Sequence, residues 1–116
     1  MDKVLMKQRT KEFSLRILKV VSSLPQTTEA KVISYQIAKS GTSVGANYRA
    51  ACRSRSTKEF IAKLGVVLEE ADETAFWLEL IVESNMLPSN RIKPLLQETD
   101  ELCAIIYSSI SSAKKI

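Results

Sequence analysis

The sequence contains no histidine, and only three glycines, three prolines and two cysteines occur among its 116 residues. Without histidine, the chain lacks the residue that most often serves as a general base and as a metal ligand. Glycine and proline are too few for the many turns of a β-sandwich or barrel. Charged residues interrupt every apolar stretch before it could span a bilayer. We therefore expect an all-α cytoplasmic protein that has no catalytic residue, cofactor or metal and does not enter membranes.

The length and apolar content fit one domain that covers residues 1–116. The two cysteines, Cys52 and Cys103, fall on different predicted helices and lack the paired spacing of a zinc site. This arrangement is typical of reduced thiols in a cytosolic protein. We expect neither a second domain nor a disulfide.

Charge is distributed unevenly along the chain. Residues 1–63 carry thirteen Lys or Arg and four Asp or Glu, whereas residues 64–116 carry four and nine, respectively. Two explanations stay open. The two halves could pair electrostatically across a helical bundle, or the first half could form a basic surface that meets a polyanion.

Four amphipathic segments carry apolar residues at alternating spacings of three and four, which is the period of packed helices. Pro25 ends the first segment, and Thr27 or Thr28 caps the second. The run Ser56-Thr57-Lys58-Glu59 has the form of a capping box and predicts the start of the third helix, while Pro94 fits the first turn of the fourth. The predicted inward positions are Met6, Phe13, Ile17, Val20 and Leu24; Ile33, Ile37, Gly41, Val44, Tyr48 and Ala51; Phe60, Leu64, Val67, Ala71, Thr74, Leu78 and Ile81; and Ile92, Leu96, Thr99, Cys103, Ile106, Ile110 and Ala113. Because the connections are short, we predict an antiparallel up-down-up-down four-helix bundle.

The middle of the second helix is rich in small residues, from Ser40 to Ala46. Gly41 and Gly45 each cost about 1 kcal/mol of helix stability relative to alanine. Close packing of a neighbouring helix against this surface can offset the cost. The neighbour could belong to the same bundle or to another subunit. The run lacks the spacing of a phosphate-binding loop.

A basic tip follows at the junction of the second and third helices. It comprises Arg49, Arg53, Arg55 and Lys58, and the first two share a helix face because they are four residues apart. Clustered guanidinium groups suit contacts with the phosphates of RNA or DNA, although a simply solvated helix end is also consistent with them. Four cations of the first helix could enlarge this patch: Lys3, Lys7, Arg9 and Lys11.

The third helix carries an acidic group that invites comparison with ferritin-like di-metal sites. Those sites require Glu-x-x-His motifs, which a chain without histidine cannot supply. We therefore expect structural roles for the acidic residues, either paired with basic residues of the second helix or solvated. They are Glu69, Glu70, Asp72, Glu73 and Glu79.

Trp77 lies off the predicted inward stripe of the third helix, about 100° from Leu78. With Val66 and Leu80 it gives this helix a second apolar face. That face could widen the core, with Tyr48 alongside, or form a contact between subunits, where aromatic residues are enriched. We select Trp77 and Tyr48 as candidate oligomer-interface residues.

Two segments resemble a known family. The run from Ser40 to Ser56 and the segment from Glu69 to Leu80, which contains Trp-Leu-Glu-Leu, closely resemble the bacterial 23S ribosomal RNA intervening-sequence proteins. The similarity extends over residues 13–112. It implies an antiparallel four-helix bundle that assembles into a ring, expected to be a homopentamer, with no known enzymatic activity.

The resemblance also suggests two functions. Some family members are encoded in insertions of ribosomal RNA genes, and others resemble accessory proteins of diversity-generating retroelements, which bind nucleic acid and a reverse transcriptase. The first hypothesis is a non-enzymatic homo-oligomer that contacts RNA or DNA phosphates through Arg49, Arg53, Arg55 and Lys58. The alternative is a protein-interaction scaffold that docks a partner enzyme such as a reverse transcriptase.

Overall fold

Four α-helices make up the computed structural model, which describes residues 2–115. They are α1 (Lys3–Ser23), α2 (Thr28–Ala51), α3 (Thr57–Glu83) and α4 (Ser89–Lys114), and no strand occurs in the described range. The molecule measures 48 × 21 × 19 Å along its principal axes. A 27-residue helix is about 40 Å long at 1.5 Å per residue, so each helix runs along most of the bundle.

Contacts between the helices establish their directions. A Cβ atom built on Gly41 would meet Ile17, while one on Gly45 would meet Thr10. Later residues of α2 therefore lie beside earlier residues of α1, so the two helices are antiparallel. The hydroxyl groups of Ser40 in α2 and Thr74 in α3 lie 2.9 Å apart. Ser40 lies 12 residues before the turn at residues 52–56 and Thr74 lies 18 residues after it, so α3 runs back along α2. The four-helix bundle is confirmed.

The helix starts match the capping residues of the sequence. The side chain of Thr27 accepts a hydrogen bond from the Ala30 amide, and that of Ser56 accepts one from the Glu59 amide. The expected capping box is only half formed, because the Glu59 carboxylate pairs with Lys63 at 3.2 Å. The third helix ends in the predicted region, where Asn85 has a positive φ of 60°. Asparagine tolerates this left-handed conformation better than most residues.

The prediction for α4 was wrong in two respects. The helix begins at Ser89, which puts Pro94 in its second turn and not in its first. The inward stripe is confirmed at Ile92, Thr99 and Ile106. It was wrong at two positions, because Leu95 and Leu102 are buried whereas Leu96 and Cys103 are half-buried. Neighbouring positions differ by only 100° around a helix. The spacing of apolar residues therefore gives the approximate direction of the buried face, whereas packing against the other helices determines which of two neighbouring side chains is buried.

Close approach of α1 and α2 explains the small residues of the second helix. Gly41 is buried against Ile17, and the Ser14 hydroxyl donates to the Gly41 carbonyl at 2.9 Å. A bond of this kind requires the two backbones to be near each other, which a side chain at position 41 would prevent. Of the two explanations left open by the sequence, the interior of the bundle is therefore confirmed at Gly41.

The opposite side of the bundle is looser, because α1 and α4 touch at few places. Arg9 bridges them. Its Nε lies 2.8 Å from Glu98 Oε2, and its Nη2 lies 2.6 Å from Glu98 Oε1 and 2.9 Å from Glu101 Oε1. The hydrogen bonds to Glu98 raise the pKa of Arg9 above its already high value. A bidentate pair of this kind also fixes geometry, which a single lysine contact would not.

Replacing Arg9 with glutamine should destabilise the fold by about 1 kcal/mol, because Glu98 would lose both partners of its bidentate bond. The effect is modest since the Arg9 side chain is 34% exposed and is screened by solvent. Urea unfolding at low and high salt measures it, and the loss should shrink at high salt. Arg16→Gln, at an exposed arginine of the same helix, is the matched control. Equal effects of the two variants would contradict a role for the bridge.

Candidate nucleic-acid interface

The predicted basic tip lies where α2 ends and α3 begins. Arg49 occupies the last turn of α2, Arg53 and Arg55 lie in the connecting turn, and Lys58 is in the first turn of α3. All four side chains are exposed, and none forms an ion pair within residues 2–115. A free cation retains its full charge for an external anion. The tip thus offers four unpaired cations at one end of the bundle.

A groove between α1 and α2 extends this surface. It has a volume of about 240 Å³ and is lined by Lys7 and Lys11 of α1 and by Arg49 of α2. Gly45 and Ala46 also line it, and such small residues leave the cations accessible from outside. The three cations come together because α1 and α2 pack closely in opposite directions.

The remaining cations suggested for the patch behave differently. Lys3 joins the tip, with its Nζ 5.0 Å from the centre of the Phe60 ring. Such a contact holds an ammonium group by cation–π attraction without neutralising it. Arg9 does not join, because its guanidinium is committed to Glu98 and Glu101. The basic surface therefore consists of Lys3, Lys7, Lys11, Arg49, Arg53, Arg55 and Lys58.

The acidic residues of α3 do not form a metal centre. Within residues 2–115 no group of three or more Asp, Glu, His or Cys side chains is arranged to hold a metal ion. Burial raises the pKa of Glu70, the nearby Glu73 adds to that effect, and Lys39 of α2 opposes it. Glu73 itself accepts a hydrogen bond from the Trp77 indole at 3.1 Å. None of the acidic residues of α3 that the sequence singled out forms an ion pair with α2 within residues 2–115.

The two aromatic candidates for an interface lie in different environments. Tyr48 is fully buried in its own bundle and has no surface to offer another subunit. Burial is the main cause of the raised pKa of its phenol, and a hydrogen bond with Cys52 adds to the effect. Trp77 is half-buried against the core and contacts the ring of Phe76 edge-on, with centroids 5.0 Å apart. Phe76 is 52% exposed, so the more accessible member of this pair is the one that the apolar pattern did not single out.

Neither cysteine forms a disulfide in the described part of the chain. Burial raises the pKa of the half-buried Cys103 thiol, and Asp72 and Asp100 add to that effect. A raised thiol pKa lowers the reactive thiolate fraction. This thiol therefore has the character of a packing residue.

No helix in residues 2–115 combines the length and apolar character needed to cross a membrane. The fold and the exposed cations together define a four-helix-bundle protein with a basic surface at one end. Residues 2–108 match the model of the 23S rRNA-intervening sequence protein family. The chain belongs to that family, which confirms the resemblance in the sequence.

A solved structure supports the same assignment. It is the crystal structure of a protein with unknown function from the S23 ribosomal protein family of Bacteroides thetaiotaomicron VPI-5482. The two chains are 35% identical and superpose with a TM-score of 0.84, over 90% of this chain and 96% of the other. A search of curated proteins gave no match.

Proposed function

We propose that this protein is a non-enzymatic homo-oligomer that binds RNA or DNA through the phosphates, using its basic surface. The observation that carries the proposal is the convergence of unpaired cations from α1, α2 and the turn before α3. Phosphate contacts need clustered positive charge and no base-specific geometry.

Arginine content favours phosphate as the target. Three of the four tip cations are arginines, whose planar guanidinium groups match phosphate oxygens in a bidentate way. The Lys7–Lys11–Arg49 groove lies beside the tip and shares Arg49 with it. A strand that follows the tip into the groove would meet successive cations.

Binding of a labelled structured RNA, measured at low and at high salt, tests the proposal. The affinity should fall steeply with salt, because each phosphate contact releases a condensed counterion. Salt-independent binding would rule out a phosphate-based interface. If the protein is an oligomer but does not bind RNA at low salt, the result would favour the alternative function, a scaffold that docks a partner enzyme such as a reverse transcriptase.

Self-association forms the second part of the proposal, with a homopentameric ring as the expected state. It is supported by the exposed edge of the Phe76–Trp77 pair, since aromatic residues are enriched at interface cores. Tyr48 plays no part in it, because its ring is buried within the chain. Light scattering on the purified protein measures the subunit number.

Phe76→Ser should weaken the oligomer at least about tenfold in dissociation constant, because loss of a central aromatic anchor typically costs about 2 kcal/mol. Its exposed position means that the monomer should keep its fold, which circular dichroism checks. Tyr107→Ser, at a 65% exposed tyrosine of α4, is the control. An unchanged mass distribution for Phe76→Ser at all concentrations would place the interface elsewhere.

A further inference from the structure

The turn between α2 and α3 borders a small open recess beside the basic tip. Its volume is about 260 Å³, and Lys3, Ser54, Arg55, Ser56 and Thr57 are among the residues that line it. A water molecule occupies about 30 Å³ in the liquid, so the recess admits a group several times that size. Two of the lining side chains are cationic and three carry hydroxyl groups.

The backbone at this recess presents hydrogen-bond donors. It forms the N-terminus of α3, a helix of 27 residues. Ser56 Oγ accepts from the Glu59 amide, while the amides of Ser56, Thr57 and Lys58 have no acceptor among residues 2–115. Free amides and the helix dipole make such a terminus favourable for anions.

An independent observation concerns Ser54. Its Oγ exposes less than 1 Å² and has no hydrogen-bond partner in the described chain. A buried hydroxyl left without a partner is destabilising, and a bound oxygen atom would restore its hydrogen bond. Ser54 is one of the residues that line the recess, so a group bound there would lie next to its side chain.

We propose that this recess binds one phosphoryl group, with Lys3 and Arg55 supplying charge and the α3 amides and Ser54 donating hydrogen bonds. The inference rests on the proposed binding of nucleic-acid phosphates at the tip, and it names the place where one of them is held. The same chemistry fits a free phosphate ion, the terminal phosphate of a strand and an internal diester. Several hydrogen-bond donors line the recess, which favours a terminal phosphate or a free phosphate ion over an internal diester. The first two have more unbridged oxygen atoms to accept hydrogen bonds.

Thermal unfolding with added inorganic phosphate, against sodium chloride at equal ionic strength, tests the recess directly. Phosphate should raise the unfolding temperature of the native protein, as any ligand of the folded state does. Ser54→Ala should bind phosphate about tenfold more weakly, yet without phosphate it should be at least as stable as the native protein. Arg16→Gln, which removes an exposed charge elsewhere, should respond as the native protein does. Equal phosphate binding by Ser54→Ala and the native protein, or no phosphate effect at all, would overturn the proposal.

One RNA oligonucleotide prepared with a 5′-phosphate and with a 5′-hydroxyl distinguishes the sources. Tighter binding of the phosphorylated form, lost in Ser54→Ala, identifies a terminal phosphate; equal binding of both forms, weakened alike in Ser54→Ala, identifies an internal diester. RNA binding unaffected by Ser54→Ala would disprove the recess and leave the proposed function standing. Phosphate binding without any RNA binding would disprove the proposed function and leave the recess standing.

Discussion

Gly41→Ala should destabilise the protein by about 2 kcal/mol, whereas Gly65→Ala should stabilise it by about 1 kcal/mol. A Cβ atom at position 41 would lie 2.6, 2.9 and 3.0 Å from Ile17 Cγ2, Cγ1 and Cβ. Ile17 is fully buried, and its β-branched side chain cannot rotate away from the new methyl group. The two helices would have to separate, which would also strain the hydrogen bond from Ser14 to the Gly41 carbonyl.

Gly65 provides the matched comparison within a helix. A Cβ atom there would meet nothing within 4 Å, so alanine removes the backbone-entropy cost of glycine without a clash. Urea unfolding at one fixed protein concentration should separate the two variants by about 3 kcal/mol. If both variants were stabilised to the same degree, the close approach of α1 and α2 at Gly41 would not be required for the fold.

Reversing three charges at the tip should reduce RNA affinity at least about a hundredfold at low salt. The variant Arg49→Glu/Arg53→Glu/Arg55→Glu removes three phosphate contacts and adds three repulsive charges. The slope of log affinity against log salt should also become shallower by about three, one for each lost cation. Fluorescence anisotropy over a range of salt concentrations measures both quantities.

The control variant carries the same change in net charge at another place. Arg16, Lys19 and Lys31 are exposed and form no ion pair within the described chain, so their triple replacement with glutamate alters the overall field but not the tip. At about 0.1 M salt its affinity should fall much less than that of the tip variant, because charges beyond about 10 Å are screened there. Equal losses for both variants would indicate a diffuse electrostatic effect and no localised interface. Light scattering on both variants checks that each keeps the mass of the native protein in solution.

Most of the fold could be predicted from local patterns. Pro25, the capping hydroxyls of Thr27 and Ser56, and the three-four spacing of apolar residues each act within a few residues of the chain. These signals located α1, α2 and α3. For α4 they predicted the helix but not its start, because Pro88 supplies no capping side chain and Pro94 is accommodated inside the helix.

Less of the candidate interface could be predicted. The clustering of Arg49, Arg53 and Arg55 is local and therefore visible in the sequence. The groove with Lys7 and Lys11 joins residues about forty positions apart, and only the packing of α1 on α2 brings them together.

The sequence by itself determined that the chain is helical, where α2 and α3 begin, and that its cations concentrate in the first half, because each of these properties depends on composition and short-range spacing. Tertiary structure decided how individual side chains are used. It turned Arg9 away from the basic surface toward Glu98, enclosed Tyr48 in the core and left Phe76 exposed. The spacing of residues in the sequence gives the face of the helix on which a side chain lies. Whether that side chain is buried or forms an ion pair depends on which helix packs against that face.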